Sequence, residues 1–335
     1  MSEVLSAKNS RSLDGVESLP PSRYTERAHS LGIDEQTFVS QAAPTLITPS
    51  RRRHPQRGGD ELTLVMGDAQ IGFRDKEAFH DETAISLAQT AIRELSPDRI
   101  ILVGDMLDLA PMSRFAQRSD WAGSTQASID RYHAFLAQTR ANAPNANIVA
   151  ISGNHELRME NYIRKDAAEI LGIRRANAGN ELAVLTLRYL VRMDELEVQN
   201  IDGYPNATYW LNRNLKATHG TNVAKGGSNA AKYLRESDSG TLFGHTHRVE
   251  LAHRTYPTMD GQNTIIAASP GTLARTTGHV PGFHYSVDDQ NRTVPRAEDW
   301  QQGLLIVEHS RDNEDVTPVV FHGNTMRLQG KKYRG

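Results

Sequence analysis

From residue 62 onward, short aliphatic runs alternate with longer segments whose apolar residues recur at helical spacing. Leu62–Met66, Ile100–Val103 and Ile148–Ile151 are brief apolar runs, and each predicts a buried strand. Between the first two, Glu77–Leu95 carries Ala84, Ile85, Leu87, Ala88, Ala91, Ile92 and Leu95 at the spacing of one helical face. Ser124–Arg140 fits a second helix, and ELRMENYIRKDAAEIL, residues 156–171, fits a third. Strands and amphipathic helices in this alternation argue for α/β architecture.

The second half is richer in strand signals. LKATH, GTLFGHTH, NTIIAASP, GLLIVEH and VTPVVFH are short β-favouring runs broken by turn residues, and the polar stretch from Gly271 to Gln302 predicts a loop or lid. Residues 1–60 break the pattern. Rich in Ser, Pro, Arg and Gln, they predict a partly irregular extension with one short helix over Asp34–Ala42. Residues 61–325 then form the folded domain, and 326–335 a basic tail expected to fray into solvent.

Composition narrows the chemistry. The chain has 335 residues, 23% charged and 38% hydrophobic, which suits a folded protein of one large or two small domains. A net charge of -2 supplies no overall basic field of the kind many nucleic-acid binders carry. There are no cysteines, so disulfides, thiolate catalysis and Cys-ligated zinc are excluded. Any metal site must use the 13 histidines, carboxylates and amides. No apolar stretch approaches the roughly 18 residues of a membrane span, and MSEVLSAKNSRS has no apolar signal core; the expected location is the cytoplasm, away from membranes.

The metal-type residues fall at strand ends. Asp68 follows the first strand, Asp105 and Asp108 lie in GDMLD after the second, and Asn154 and His155 lie in GNHE after the third. His219 closes LKATH, and His245 and His247 close GTLFGHTH. Open α/β sheets bind ligands at such carboxyl ends. His245 and His247 either share one side of an extended backbone or are turned toward different ions, a turn that Gly244 would permit. Asp105 has two oxygens and could bridge two ions. A paired site of this kind clamps phosphate oxygens and generates a hydroxide nucleophile.

In this order the motifs resemble the calcineurin-like metallophosphoesterase family: Asp68-Ala69-Gln70 where the family has Asp-Xaa-His, then GDMLD, GNHE, His219 and GHTH. The likeness spans residues 62–270, and the layout is similar to phage-encoded and bacterial phosphoesterases or exonucleases. It implies a four-layer α/β/β/α sandwich with two divalent ions at the sheet edge. Asp68, Gln70, Asp105 and His247 would surround the first ion, and Asp105, Asn154, His219 and His245 the second. His155 would meet the substrate and stabilise or protonate the leaving oxygen, with Asp108 orienting it.

Gln70 is the departure from the family pattern. It can ligate through its amide oxygen, hold water beside the ion, or leave the first ion weakly bound. A harder oxygen donor in place of imidazole favours Mn2+ or Mg2+ over Zn2+, with Fe and Ni2+ also within the family's range. Arg158 and Arg248 lie just beyond motifs, and Lys225 sits in the Gly-rich stretch THGTNVAKGGSNAAK; all three are candidates to meet substrate phosphate. The first expectation for function is a phosphodiesterase or nuclease acting on DNA or RNA, prompted by the basic segments at 51–54 and 327–334. The alternatives are a small-molecule phosphomonoesterase or cyclic-nucleotide or nucleotide phosphodiesterase, and a phosphate-binding or interaction module that has lost catalysis.

Overall fold

The computed structural model describes residues 60–74, 77–113, 123–177, 179, 181–224, 228–259, 261–277, 286–287, 293–294 and 299–335. The expected leader helix, the Arg51–Arg53 run and Lys225 lie outside them. In chain order the elements begin β1 (Glu61–Met66), β2 (Phe73–Arg74), β3 (Glu77–Ala78), α1 (Glu82–Leu95), β4 (Arg99–Leu102), α2 (Ser124–Asn142) and β5 (Asn147–Ile151). There follow α3 (Leu157–Asp166), α4 (Leu187–Leu190), β6 (Val198–Ile201), β7 (Thr208–Trp210), β8 (Leu215–Thr218), α5 (Asn229–Glu236) and β9 (Gly240–Phe243). A long hairpin, β10 (Val249–Thr258) and β11 (Gly261–Pro270), leads to the short pair β12 (Ser286–Val287) and β13 (Thr293–Val294). The chain closes with β14 (Gly303–His309), β15 (Glu314–Val320), β16 (Thr325–Leu328) and β17 (Lys331–Arg334).

Two sheets form the centre. One has the order β15-β14-β1-β4-β5-β6, and β1, β4, β5 and β6 run parallel within it. The other has the order β10-β11-β9-β8-β7, with β8, β9 and β11 parallel. Strand alternation assigns each residue to a layer. Leu64, Met66, Ile100, Leu102 and Ile148 point outward, where Leu87, Ala91 and Ile92 of α1 and Phe135 of α2 cover them. Val65, Ile101, Val149 and Leu305 point inward and meet Leu215, Ala217, Leu242 and Ile266 of the second sheet. On the far face, Ala230 and Leu234 of α5 pack on Phe243, Ile265 and Ala267. The result is the expected four-layer α/β/β/α sandwich. Burial on both faces explains why these strands read as continuous apolar runs.

Three expectations about the elements need correction. The first helix starts at Glu82, because the Asp81 carboxylate accepts the N–H groups of Thr83 and Ala84 at 2.9 and 3.2 Å and caps the helix there. The third helix stops at Asp166, and Ala168–Ile170 forms a separate 3-10 turn. The basic tail is folded: β16 and β17 form a hairpin whose Met326 and Leu328 are buried in the same core as α1, and Tyr333 donates its hydroxyl to Glu94 at 3.1 Å. Of the expected lid over 271–302, the described ends are joined: Thr272 N–H donates to Gln301 O at 3.0 Å.

Candidate metal centre

The parallel strands of both sheets deliver their carboxyl-end loops to one edge. Cross-loop backbone bonds fix their register there: Asp68 N to Gly104 O at 2.9 Å, Gln70 N to Asp105 O at 3.0 Å and Gly244 N to His219 O at 3.0 Å. Asp68, Gln70, Asp105, His245 and His247 all hold positive φ, between 48° and 70°. L-residues seldom adopt this region, and five of the seven expected ligand positions do so here. Such strain persists only where surrounding structure over-determines it, as at a functional site. For GHTH it settles the open choice in favour of a turn. Gly244 has the predicted use as well, since a Cβ there would stand 2.8 Å from Asp68 Oδ2.

Asp105 lies at the middle of the cluster. Its Oδ2 is 3.3 Å from His219 Nε2 and 3.3 Å from Gln70 Nε2, and its Oδ1 accepts His155 N–H at 2.9 Å. His219 Nε2 is also 3.1 Å from Asn154 Oδ1 and 3.2 Å from His245 Nδ1. Beside this group, His247 Nε2 is 3.2 Å from Asp68 Oδ1. Asp105, His219 and His245 each bring one donor atom within 4.8 Å of the others, a three-residue group that could hold a metal ion.

Charge and orphaned atoms test whether these residues suit a cation. Burial disfavours the Asp105 carboxylate, yet the neighbouring His155 and His219 hold its pKa well below the usual range. Burial likewise opposes a charge on His219, but Asp105 prevails and pushes it up to about 10. His245 moves the other way, lowered by burial and by the neighbouring His219, so the charge gathers on His219. His219 Nδ1 lies 2.8 Å from Val103 O and donates to it, which leaves the Nε2 lone pair directed into the cluster once the ring is neutral. Gln70 Oε1 and His247 Nδ1 are buried without hydrogen-bond partners. An unsatisfied amide acceptor next to a carboxylate and imidazoles suits a hard divalent ion or the water it holds.

His155 stands at the rim of this group. Its Nδ1 is 2.8 Å from Asp108 Oδ1, and its Nε2 edge is turned toward Asp105 Oδ2 at 3.6 Å. Arg158 joins them, with Nη1 2.8 Å from Asp108 Oδ1 and Nη2 2.7 Å from His155 Nε2. The expected substrate arginine is thus already engaged by protein. Arg248 is engaged elsewhere, donating to Ala224 O and Asp299 O at 2.9 Å each, so it braces two loops beside the site. Sequence reasoning gave no role to two further residues. The half-buried Glu156 carboxylate accepts the N–H groups of Asp105, Leu107 and Gly153 at 3.0, 3.1 and 2.8 Å, tying the β4 and β5 loops together. Its signal was the fourth letter of GNHE. Trp300 sets its ring edge-on to His247 with centroids 4.2 Å apart, and no motif marked it.

The sequence profile of the Calcineurin-like phosphoesterase family matches residues 62–249, a span that holds every one of these motifs. The chain belongs to this family. Gene 54 protein of Mycobacterium phage D29 is similar to this phosphoesterase-family chain at 22% identity over 271 residues, covering 77% of the chain and 93% of the phage protein. Vacuolar protein sorting 29 from Cryptosporidium parvum overlays 82% of the chain and 96% of its own length, at 15% identity and a TM-score of 0.31. Yfce, a phosphoesterase from E. coli, overlays 78% of the chain and 100% of its own length, at 11% identity and a TM-score of 0.30. Membership of the calcineurin-like phosphoesterases rests on the profile and the motif geometry, since overlays this loose carry no weight. Among the described residues, no helix is long and apolar enough to cross a membrane.

Proposed function

We propose that this calcineurin-like phosphoesterase hydrolyses small phosphoesters, monoesters or nucleotide-sized diesters, using two divalent cations at the strand ends, with Mn2+ favoured. The observation that supports it most is the convergence of Asp105, His219 and His245 on one point with the His155–Asp108 pair beside it. Asp68, Gln70 and His247 adjoin as the second ligand group, with Asp105 shared, and Asn154 contributes its carbonyl oxygen to the His219 side. Bound cations supply Lewis-acid polarisation of the phosphoryl oxygens and lower the pKa of a water for in-line attack. The protein's own part is orientation: Asp108 fixes His155 through Nδ1, and Nε2 is the atom that meets the leaving oxygen.

Residues 327–334 belong to a hairpin packed along α1 rather than to a free basic arm, which weakens the nucleic-acid reading. The test is a panel of metals against a phosphomonoester, a cyclic nucleotide, bis-p-nitrophenyl phosphate, single-stranded and duplex DNA, and RNA. Mn2+-dependent turnover highest on the small esters is expected. Faster turnover of DNA or RNA restores the nuclease reading. Gln70 at an imidazole position favours one competing account, a phosphate-binding module without catalysis. Phosphate binding with no turnover under any metal would establish that account instead.

A further inference from the structure

Arg158 is held by the two residues assigned to leaving-group chemistry. Its Nη1 contacts both Asp108 O, at 2.5 Å, and Asp108 Oδ1, at 2.8 Å, while Nη2 lies 2.7 Å from His155 Nε2. Guanidinium nitrogens only donate and do not deprotonate in proteins. His155 Nε2 must therefore be the acceptor in this contact, which leaves the ring proton to Nδ1, 2.8 Å from Asp108 Oδ1 but without hydrogen-bond alignment to it. This creates a conflict: Nε2 is the nitrogen whose edge faces Asp105 and the centre, and it is capped.

We infer that Arg158 is a latch, a positioning residue that caps His155 in the substrate-free protein and is drawn off by the phosphoryl anion of an incoming substrate. The inference rests on the function proposed above. The Arg158 side chain is 20% exposed and His155 12%, so both are partly open to solvent while Asp108, at 5%, forms the buried anchor. A phosphoryl group is the partner best suited to compete. It offers Nη2 a charged oxygen, where His155 offers a neutral nitrogen. Transfer of Nη2 from nitrogen to phosphate frees Nε2 for the leaving oxygen only when a phosphoester occupies the centre. Nη1 can stay on Asp108 throughout, so the ring keeps its orientation.

The test uses histidine-labelled full-length protein and imidazole 15N–1H spectra, with His155→Gln to assign the signals. In the wild type, His155 is expected as the Nδ1–H tautomer with a hydrogen-bonded Nε2. Mg2+ with inorganic phosphate as the probe should shift Nε2 toward its unbonded position. In Arg158→Ala, Nε2 should begin at that position and phosphate should move it little. Arg158→Lys supplies charge but no fork, so it should recover phosphate affinity without recovering the wild-type signal. In steady-state assays Arg158→Ala should raise KM about 10-fold, the scale of one charged hydrogen bond. A His155 signal identical in wild type and Arg158→Ala, both with unchanged melting temperature, overturns the latch. The spectra need no turnover, so loss of the proposed activity on every substrate would leave this result separately readable.

Discussion

Asp105 shows how one side chain can organise the centre. Its two oxygens face an imidazole, an amide and a backbone N–H, and the adjacent histidines hold it ionised against burial. Replacing it by Asn removes the shared charge with little change of shape. Asp105→Asn is expected to weaken Mn2+ binding by at least about 100-fold in calorimetry, beyond what loss of an outer partner costs; affinity within a few-fold of wild type would remove Asp105 from the ligand set. Gln70 carries a narrower prediction. Gln70→His softens the first site and should shift metal-dependent rates and bound-metal content from Mn2+ toward Zn2+. Unchanged preference and occupancy would show that Gln70 Oε1 does not face the ion. The candidate residue types were legible in the sequence because few side chains offer donor atoms suited to a metal ion. Their partners were not: Arg158 lies three residues past His155, and only the first turn of α3 makes that spacing a contact.

At the level of elements, Glu156 and Glu82 do different work. Glu156 accepts three backbone N–H groups from the two loops that carry Asp105 and Asn154. Glu156→Ala leaves those donors buried and should cost about 2–4 kcal/mol in urea unfolding, in the range for several unsatisfied groups; a cost below about 1 kcal/mol would mean water replaces it freely. Glu82 opens α1 and accepts a two-nitrogen fork from Arg131 at 2.8 and 2.6 Å, with His80 Nε2 2.9 Å away. Burial opposes its charge, but the Arg131 and His80 hydrogen bonds win and hold its carboxyl below the usual range. A depressed carboxylate pKa stabilises the fold above the unfolded value of about 4.3 and loses that contribution as pH falls through the folded one. Glu82→Gln should therefore narrow the gap between neutral and acid stability, and an unchanged gap would show the fork contributes nothing. The helices α1, α2 and α3 were legible in outline, whereas α4 and α5 lay in the half read as strands and loops. The start of α1 was legible too, in Asp81 before Glu82 and Thr83, but the longer apolar period masked it.

At the scale of the whole molecule, the two sheets meet through aliphatic side chains and bring their motif-bearing loops to one edge. The order of motifs in the sequence foretold that edge, since strand ends gather ligands whatever the connections between them. The C-terminal hairpin was not foretold. Its β signal is two apolar residues, Met326 and Leu328, followed by a turn and a lysine pair, too short for periodicity to outweigh charge. Met326 is 1% exposed within the α1 core, and Met326→Ala should cost about 2–4 kcal/mol by thermal or urea unfolding; a neutral substitution would mean the hairpin does not pack in solution.

Cations held by the clustered strand-end residues should drive phosphoester hydrolysis, which is measured as bis-p-nitrophenyl phosphate turnover by protein stripped with chelator and then titrated with Mn2+. No turnover is expected after stripping, with recovery on added Mn2+ and none in Asp105→Ala or His155→Ala at any metal concentration. Turnover that survives stripping, or recovers equally in both variants, would contradict this.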